Sequence, residues 1–223
     1  MMWCNMKRIS LLATIMISAA FFVHAQVQVS QEPHHKNVLE NSYLRILDVR
    51  IPQKDTTLFH IHSTPAVTFM YTTTAIGTQN MGRNWSAGRN VAGRASYGSA
   101  KGDPLIHRVT NADSVPFHVN VIEILSAYGK SRQEGNLPFP VLFDNDKTVG
   151  YRLTDSLINR KTISGRGPIV LGLMEGNKLI VHDVQSKKET TLHAGDHLYI
   201  KPESSFYFLP GKEGVNLVMF EVK

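Results

Sequence analysis

Apolar and polar residues alternate with a period of two along most of the chain, and no long stretch shows the 3.6-residue period of an amphipathic helix. In Leu47-Asp48-Val49-Arg50-Ile51 the apolar side chains share one face and the charges the other. Val67, Phe69 and Tyr71 alternate with Thr68, Met70 and Thr72, and Phe117, Val119 and Val121 alternate with His118 and Asn120. Val215, Leu217 and Met219 repeat the pattern near the end. Such runs predict half-buried strands. Gly176-Asn177 reads as a hairpin turn ahead of Leu179-Ile180-Val181, because both residues tolerate positive φ. Gly195-Asp196 and Pro210-Gly211 punctuate the later strands. Many short strands with regular turns predict an all-β sandwich or barrel.

A weak internal repeat divides the pattern. Leu44 to Ile51 matches Tyr151 to Ile158, with Arg45 recurring as Arg152 and Asp48 as Asp155. Each copy then runs through a polar stretch to a proline, Pro65 or Pro168, and an apolar strand. Residues 126–148 hold Gly129, Gly135, Pro138 and Pro140 and read as a linker or strap. The expected organisation is therefore two similar barrels, 26–125 and 149–223.

Residues 1–25 break the alternation and read as an export signal. Lys7 and Arg8 form a basic start, Ile9 to Phe22 is an uncharged apolar run, and Val23-His24-Ala25 offers small or tolerated residues for cleavage before Gln26. The run is shorter than the ~20 residues a bilayer span needs, so a membrane span is not expected. An exported chain, periplasmic or secreted, is the expectation. The single cysteine, Cys4, lies inside this segment, which excludes disulfides and thiolate chemistry from the mature chain. Without Lys7 and Arg8 the 24 basic side chains become 22 against 18 acidic ones, a mild +4. No Lys/Arg-rich arm suggests a nucleic-acid partner, and the charge favours anionic small ligands at most.

Candidate chemistry centres on Phe59-His60-Ile61-His62. On a strand, His60 and His62 project to one face about 7 Å apart, at a rise of ~3.3 Å per residue. Two imidazoles so placed can reach one ion through bonds of about 2.1 Å. A second element, His107-Arg108-Val109-Thr110-Asn111, has the pattern H-x3-N and precedes the strand Phe117 to Leu125. H-x-H on one strand, then H-x3-N after the Gly/Pro-containing stretch Gly102-Asp103-Pro104, resembles the two motifs of the cupin superfamily. That resemblance implies two tandem jelly-roll barrels (double-stranded β-helices), with His60, His62 and His107 converging on a divalent metal inside the first. It covers most of the mature chain and is more specific in the first half.

Two departures from the cupin pattern matter. The family's glutamate ligand, four or five residues after the second histidine, is replaced by Ala66 and Val67. A three-His site suits Zn, Fe, Ni or Cu and leaves a position open for water or substrate, with water, Gln79 or a loop side chain as fourth ligand. In the second half neither motif survives. Thr162-Ile163-Ser164-Gly165-Arg166-Gly167 and Phe206-Tyr207-Phe208 stand in their places, and His182, His193 and His197 lack the spacing.

Residues 77–104 carry six glycines with Arg83, Arg89, Arg94 and Lys101, and Trp85 and Tyr97 as aromatic rings. They read as a glycine-rich loop over the barrel mouth, with Arg83, Arg89, Arg94 or Arg108 neutralising an anionic ligand, or as a solvated loop of no special role. His34-His35 reads as a solvated pair near the mature N-terminus, and His118 as facing solvent or the second face of its sheet. Two functions remain: a metalloprotein acting on a small molecule, with dioxygenase, isomerase or lyase chemistry implied by the resemblance, or a non-catalytic binder of a small ligand or metal.

Overall fold

The structure is a computed structural model, which describes residues 26–130, 135–209 and 214–223. The expected export signal and the Pro210-Gly211 turn lie outside these residues. The chain is all-β: two three-residue 3-10 turns, Val29–Gln31 and Asp155–Leu157, are the only helical elements described. Among the described residues no helix is long and apolar enough to cross a membrane.

The first half folds as two five-stranded sheets facing each other. One carries β1 (Val27–Gln28), β4 (His60–His62), β9 (Leu105–Asn111), β6 (Thr74–Asn80) and β7 (Ser86–Asn90), in that order. The other carries β2 (His35–Glu40), β3 (Leu44–Ile51), β10 (Phe117–Ile124), β5 (Ala66–Met70) and β8 (Ala95–Gly98). Period-two alternation sorts the side chains between a barrel interior and a second buried face. On β5, Ala66, Thr68 and Met70 line the interior, while Val67 and Phe69 pack outward against the other half of the chain.

The second half repeats this arrangement. A five-stranded sheet has the order β11 (Val141–Asp144), β12 (Thr148–Thr154), β18 (Asn216–Val222), β13 (Ile169–Glu175) and β16 (His197–Ile200). A three-stranded sheet of β15 (Glu189–Leu192), β14 (Leu179–Asp183) and β17 (Phe206–Leu209) faces it. β11 falls inside the stretch 126–148 and pairs with β12, so the strap between the halves is shorter than its composition suggests. Gly176-Asn177 does not close a hairpin. Gly176 does take positive φ (114°), but β13 and β14 on either side belong to opposite sheets. The turn makes a corner between layers, which local φ preference cannot tell from a hairpin.

The β2-β3-β10-β5-β8 sheet packs on the five-stranded sheet of the second half through Leu44, Ile46, Phe69 and Ile122 on one side and Val170, Val218 and Phe220 on the other, all buried. Phe69 meets Phe220 edge-on at 5.8 Å. Its ring also lies on Gly172, where a Cβ would come within 2.5 Å of Phe69 Cδ2. His118 takes the second face of its sheet. It is buried, packs near Gly195 of the other half, and shares Asp48 with Asn120 at 2.8 and 3.1 Å.

Candidate metal centre

β4 and β9 are antiparallel neighbours, and their register sets His60 directly opposite His107. Because β4 alternates, His62 shares the inward face with His60. The ring centroids of the three lie 4.7–5.0 Å apart, and one nitrogen of each falls within 4.8 Å of the others. His62 Nε2 and His107 Nε2 approach to 3.1 Å. His60 Nδ1 lies 2.9 Å from the Leu58 carbonyl oxygen, to which it donates, so its Nε2 presents the lone pair. Among the described residues no other group of three His, Cys, Asp or Glu side chains comes together in this way.

Burial, reinforced by positive charge on neighbouring imidazoles, pushes His60 and His62 down to about 3. Burial and His35 take His107 to about 4. All three are therefore neutral near pH 7, the state a metal requires. The same shifts fix a pH dependence. The unfolded chain takes up three protons as pH falls below the ordinary histidine value of about 6.5, while the fold resists until about 4 to 3. Stability of the metal-free protein is thus fully present above pH 6.5 and lost as pH falls, by at most about 4 kcal/mol per unit near pH 5. Urea unfolding between pH 4.5 and 7.5 measures the slope; a flat profile would contradict the burial of the cluster.

The histidines stand on the wall of a cavity of about 510 Å³ between the two sheets. Val49, Ile51, Phe117, Val119 and Val121 line it from one sheet, and Ile76 and Val109 from the other. Thr57, Asn90 and Lys101 add polar groups. Ala66, where the family glutamate would stand, also faces the cavity and leaves room rather than a ligand.

The arginines expected at the mouth do not line this cavity. The segment 77–104 is not one loop: it completes β6 and forms β7 and β8, and alternation along β7 turns Arg89 outward. Asn90 faces in, so exposed Arg89 faces out; Arg83 and Arg94 sit in exposed turns. Arg108 lies between the inward His107 and Val109, and its guanidinium packs over Phe59 and Trp85 at 4.7 and 4.9 Å. The cation on the cavity wall is Lys101. Gln79 also points away: its Oε1 accepts from Arg108 Nε at 2.8 Å and its Nε2 donates to the Arg83 carbonyl at 2.8 Å. Asn111, the last residue of H-x3-N, is fully buried and donates to the Ile51 and Val115 carbonyls, so it staples the turn after β9.

Sequence reasoning missed the N-terminal pair. His35 is not a solvated tail residue: it is buried, lines the cavity, and its ring lies 4.7 Å from that of His60. Beside it Glu32, 2% exposed, sits 2.6 Å from His35 Nδ1 and 3.1 Å from His34 Nδ1, and accepts from the Leu58 amide at 3.1 Å. Burial alone would raise this carboxyl, but these hydrogen bonds outweigh it and hold the group at about 2. The usable signal was the spacing Glu32-x-x-His35 directly ahead of alternating residues.

The second half offers no such cluster among its described residues. Tyr151, Leu171, Leu217, Phe206 and Phe208 fill its interior. His182 stacks on Tyr207, and His193 Nδ1 lies 3.0 Å from the Asn177 carbonyl oxygen.

Among solved structures, the chain is similar to a cupin 2 conserved barrel domain protein from Leptotrichia buccalis, at 10% identity over 87% of this chain and 90% of that one, with a TM-score of 0.56. The chain has a cupin fold. AerE from Microcystis aeruginosa is another structural neighbour (11% identity, 86% of this chain and 98% of that one, TM-score 0.56). A variant of salicylate 1,2-dioxygenase from Pseudoaminobacter salicylatoxidans is similar at 11% identity over 81% of this chain and 71% of that one, with a TM-score of 0.54. That enzyme has also been solved in complex with gentisate. No protein-family model and no curated protein matches the sequence. At these identities the likeness is one of fold, and the site must be argued from its own residues.

Proposed function

We propose that this cupin is an exported metalloprotein whose first barrel acts on a small, largely apolar molecule at a three-His metal site. One observation carries the reading: three neutral imidazoles, on two paired strands, converge on the wall of a largely apolar cavity. Nε2 of His62 and Nε2 of His107 already face each other at 3.1 Å, close to the separation of two nitrogens bound to one ion at ~2.1 Å each. The donor set fits a borderline ion. His60, His62 and His107 would hold Zn, Fe, Ni or Cu through ring nitrogens, and no carboxylate stands among them to favour a harder cation. The bound ion would supply a Lewis acid with coordination positions left open to the cavity.

The remaining roles belong to the wall. Val49, Ile51, Phe117, Val119 and Val121 exclude water from the apolar body of the ligand, and Thr57 and Asn90 offer hydrogen bonds. Lys101 draws in an anionic end. A cavity of about 510 Å³ suits a single-ring molecule or one of similar size. A fold neighbour named for dioxygenation of salicylate supports trying aromatic acids first. Export is supported by the basic, apolar and small-residue order of residues 1–25.

The experiment titrates metal-stripped protein with Zn, Fe, Ni, Cu and Mn, then follows oxygen uptake by the iron form with salicylate and related acids. One ion per chain and a raised melting temperature are expected. Bound metal and ligand with no turnover under any assay would assign the non-catalytic role. If no ion binds, the metalloprotein reading fails.

A further inference from the structure

We infer that His35 is a fourth imidazole ligand of that metal, brought from the opposite sheet and held to the task by Glu32. The inference rests on the metal reading above and concerns how this chain replaces the carboxylate lost at Ala66. β2 starts at His35, where the register sets it against Val49, and Val49 itself lines the cavity. His35 therefore looks across the barrel at β4. Its ring stands 4.7 Å from His60, the same centroid separation as His60 from His107. Imidazoles sharing one tetrahedral ion through bonds of ~2.1 Å have centroids about 5 Å apart, so this spacing already suits joint ligation. His35 packs on His60 just outside the close-set trio, so ligation requires its Nε2 to turn toward the shared face while Nδ1 keeps Glu32.

Glu32 gives that nitrogen its character. The carboxylate accepts a hydrogen bond from Nδ1–H at 2.6 Å and so leaves Nε2 as the lone-pair atom, the carboxylate–imidazole pairing that orients metal-bound histidines. Glu32 is itself fixed by the Leu58 amide and the His34 amide, at 3.1 and 2.7 Å. Leu58 also holds His60 through its carbonyl oxygen, so one residue positions both imidazoles. β1 adds the last restraint, since Val27 pairs in parallel with His60 and ties the N-terminal segment to the site.

The test uses the full chain loaded with Zn(II) or Co(II). X-ray absorption at the metal edge counts imidazoles, and Co(II) visible spectra report coordination number. Four imidazoles are expected in the wild type and three in His35→Ala, with a changed Co(II) spectrum. Glu32→Gln should keep four but weaken Zn(II) binding about 10- to 100-fold. Three imidazoles in the wild type, or an unchanged count in His35→Ala, overturns the inference and leaves the three-His reading standing. Failure of any ion to bind removes both. Should His35→Ala not fold, the wild-type count decides alone.

Discussion

Alanine at His107 is expected to abolish metal binding and, with it, the stabilisation that metal confers. His107 sits on β9 between β4 and β6, and the register that places it opposite His60 also makes it the meeting point for His62, 3.1 Å away. Removing it breaks up the close-set trio on which ion capture depends. At a free-metal level a hundred times the dissociation constant, the ion adds about 2.7 kcal/mol to the fold. For a chain of this size that corresponds to a melting temperature about 5–10 °C higher. His107→Ala should show no such rise, and chelator should no longer lower its melting temperature. In metal-free protein the same substitution should cost far less, because no bond to an ion is lost with the ring. His193→Ala in the second barrel should leave metal binding and its stabilisation intact. Equal loss from His193→Ala, or a full metal response from His107→Ala, would contradict the site. Differential scanning calorimetry with and without metal, beside elemental analysis, reads both outcomes.

The strands and the histidine trio were legible because each leaves a short-range mark. Alternation places the barrel interior, and H-x-H on one strand commits both rings to one face whatever the tertiary context. What sequence spacing hides is which strands meet. His35 lies 25 positions before His60, and only the β1–β4 and β2–β3 pairings bring the N-terminal segment to the site. The arginines failed as cavity residues for a related reason: the glycines of 77–104 suggested a loop, whereas alternation along β7 turns Arg89 outward and alternation along β9 turns Arg108 away from the cavity. The repeat was sound at the level of strands, since β3 and β12 occupy equivalent places in matching sheets. Its register was not. Arg45 opposes Glu123 on β10, while Glu221 on β18 opposes Val149, so Val149 and not Arg152 stands in the place of Arg45. The better marker was the endings Val121-Ile122-Glu123-Ile124 and Met219-Phe220-Glu221-Val222, each a charged residue set in a buried strand.

That second glutamate supports the other large effect: Glu221→Gln should destabilise the protein by about 3–5 kcal/mol, the cost of breaking a buried ion pair by removing one of its charges. Glu221 is 0% exposed, on a strand flanked on both sides by β12 and β13. Arg166 reaches it from the segment that stands where the first metal motif would be, donating from Nε at 3.0 Å and from Nη2 to the same oxygen. The other carboxylate oxygen accepts from the Gly167 amide at 2.9 Å, and Arg166 Nη1 donates to the Gly135 carbonyl at 3.0 Å. The pair thus fastens the entry to β13 and the strap between the barrels to the floor of the second barrel. Where the first barrel has neutral imidazoles open to a cavity, the second has a satisfied ion pair among packed apolar side chains. Glutamine keeps the shape but removes the charge facing a guanidinium that is 3% exposed. Arg166→Met should cost a similar amount by removing the other charge of the pair. The double variant Arg166→Met with Glu221→Gln should cost less than the sum, because both single changes remove the same interaction. Denaturant unfolding of the four proteins completes the cycle. A strictly additive result would show that the two side chains do not act as a pair. Metal binding in the first barrel should survive in every variant that folds, since none of these atoms touches the histidine trio.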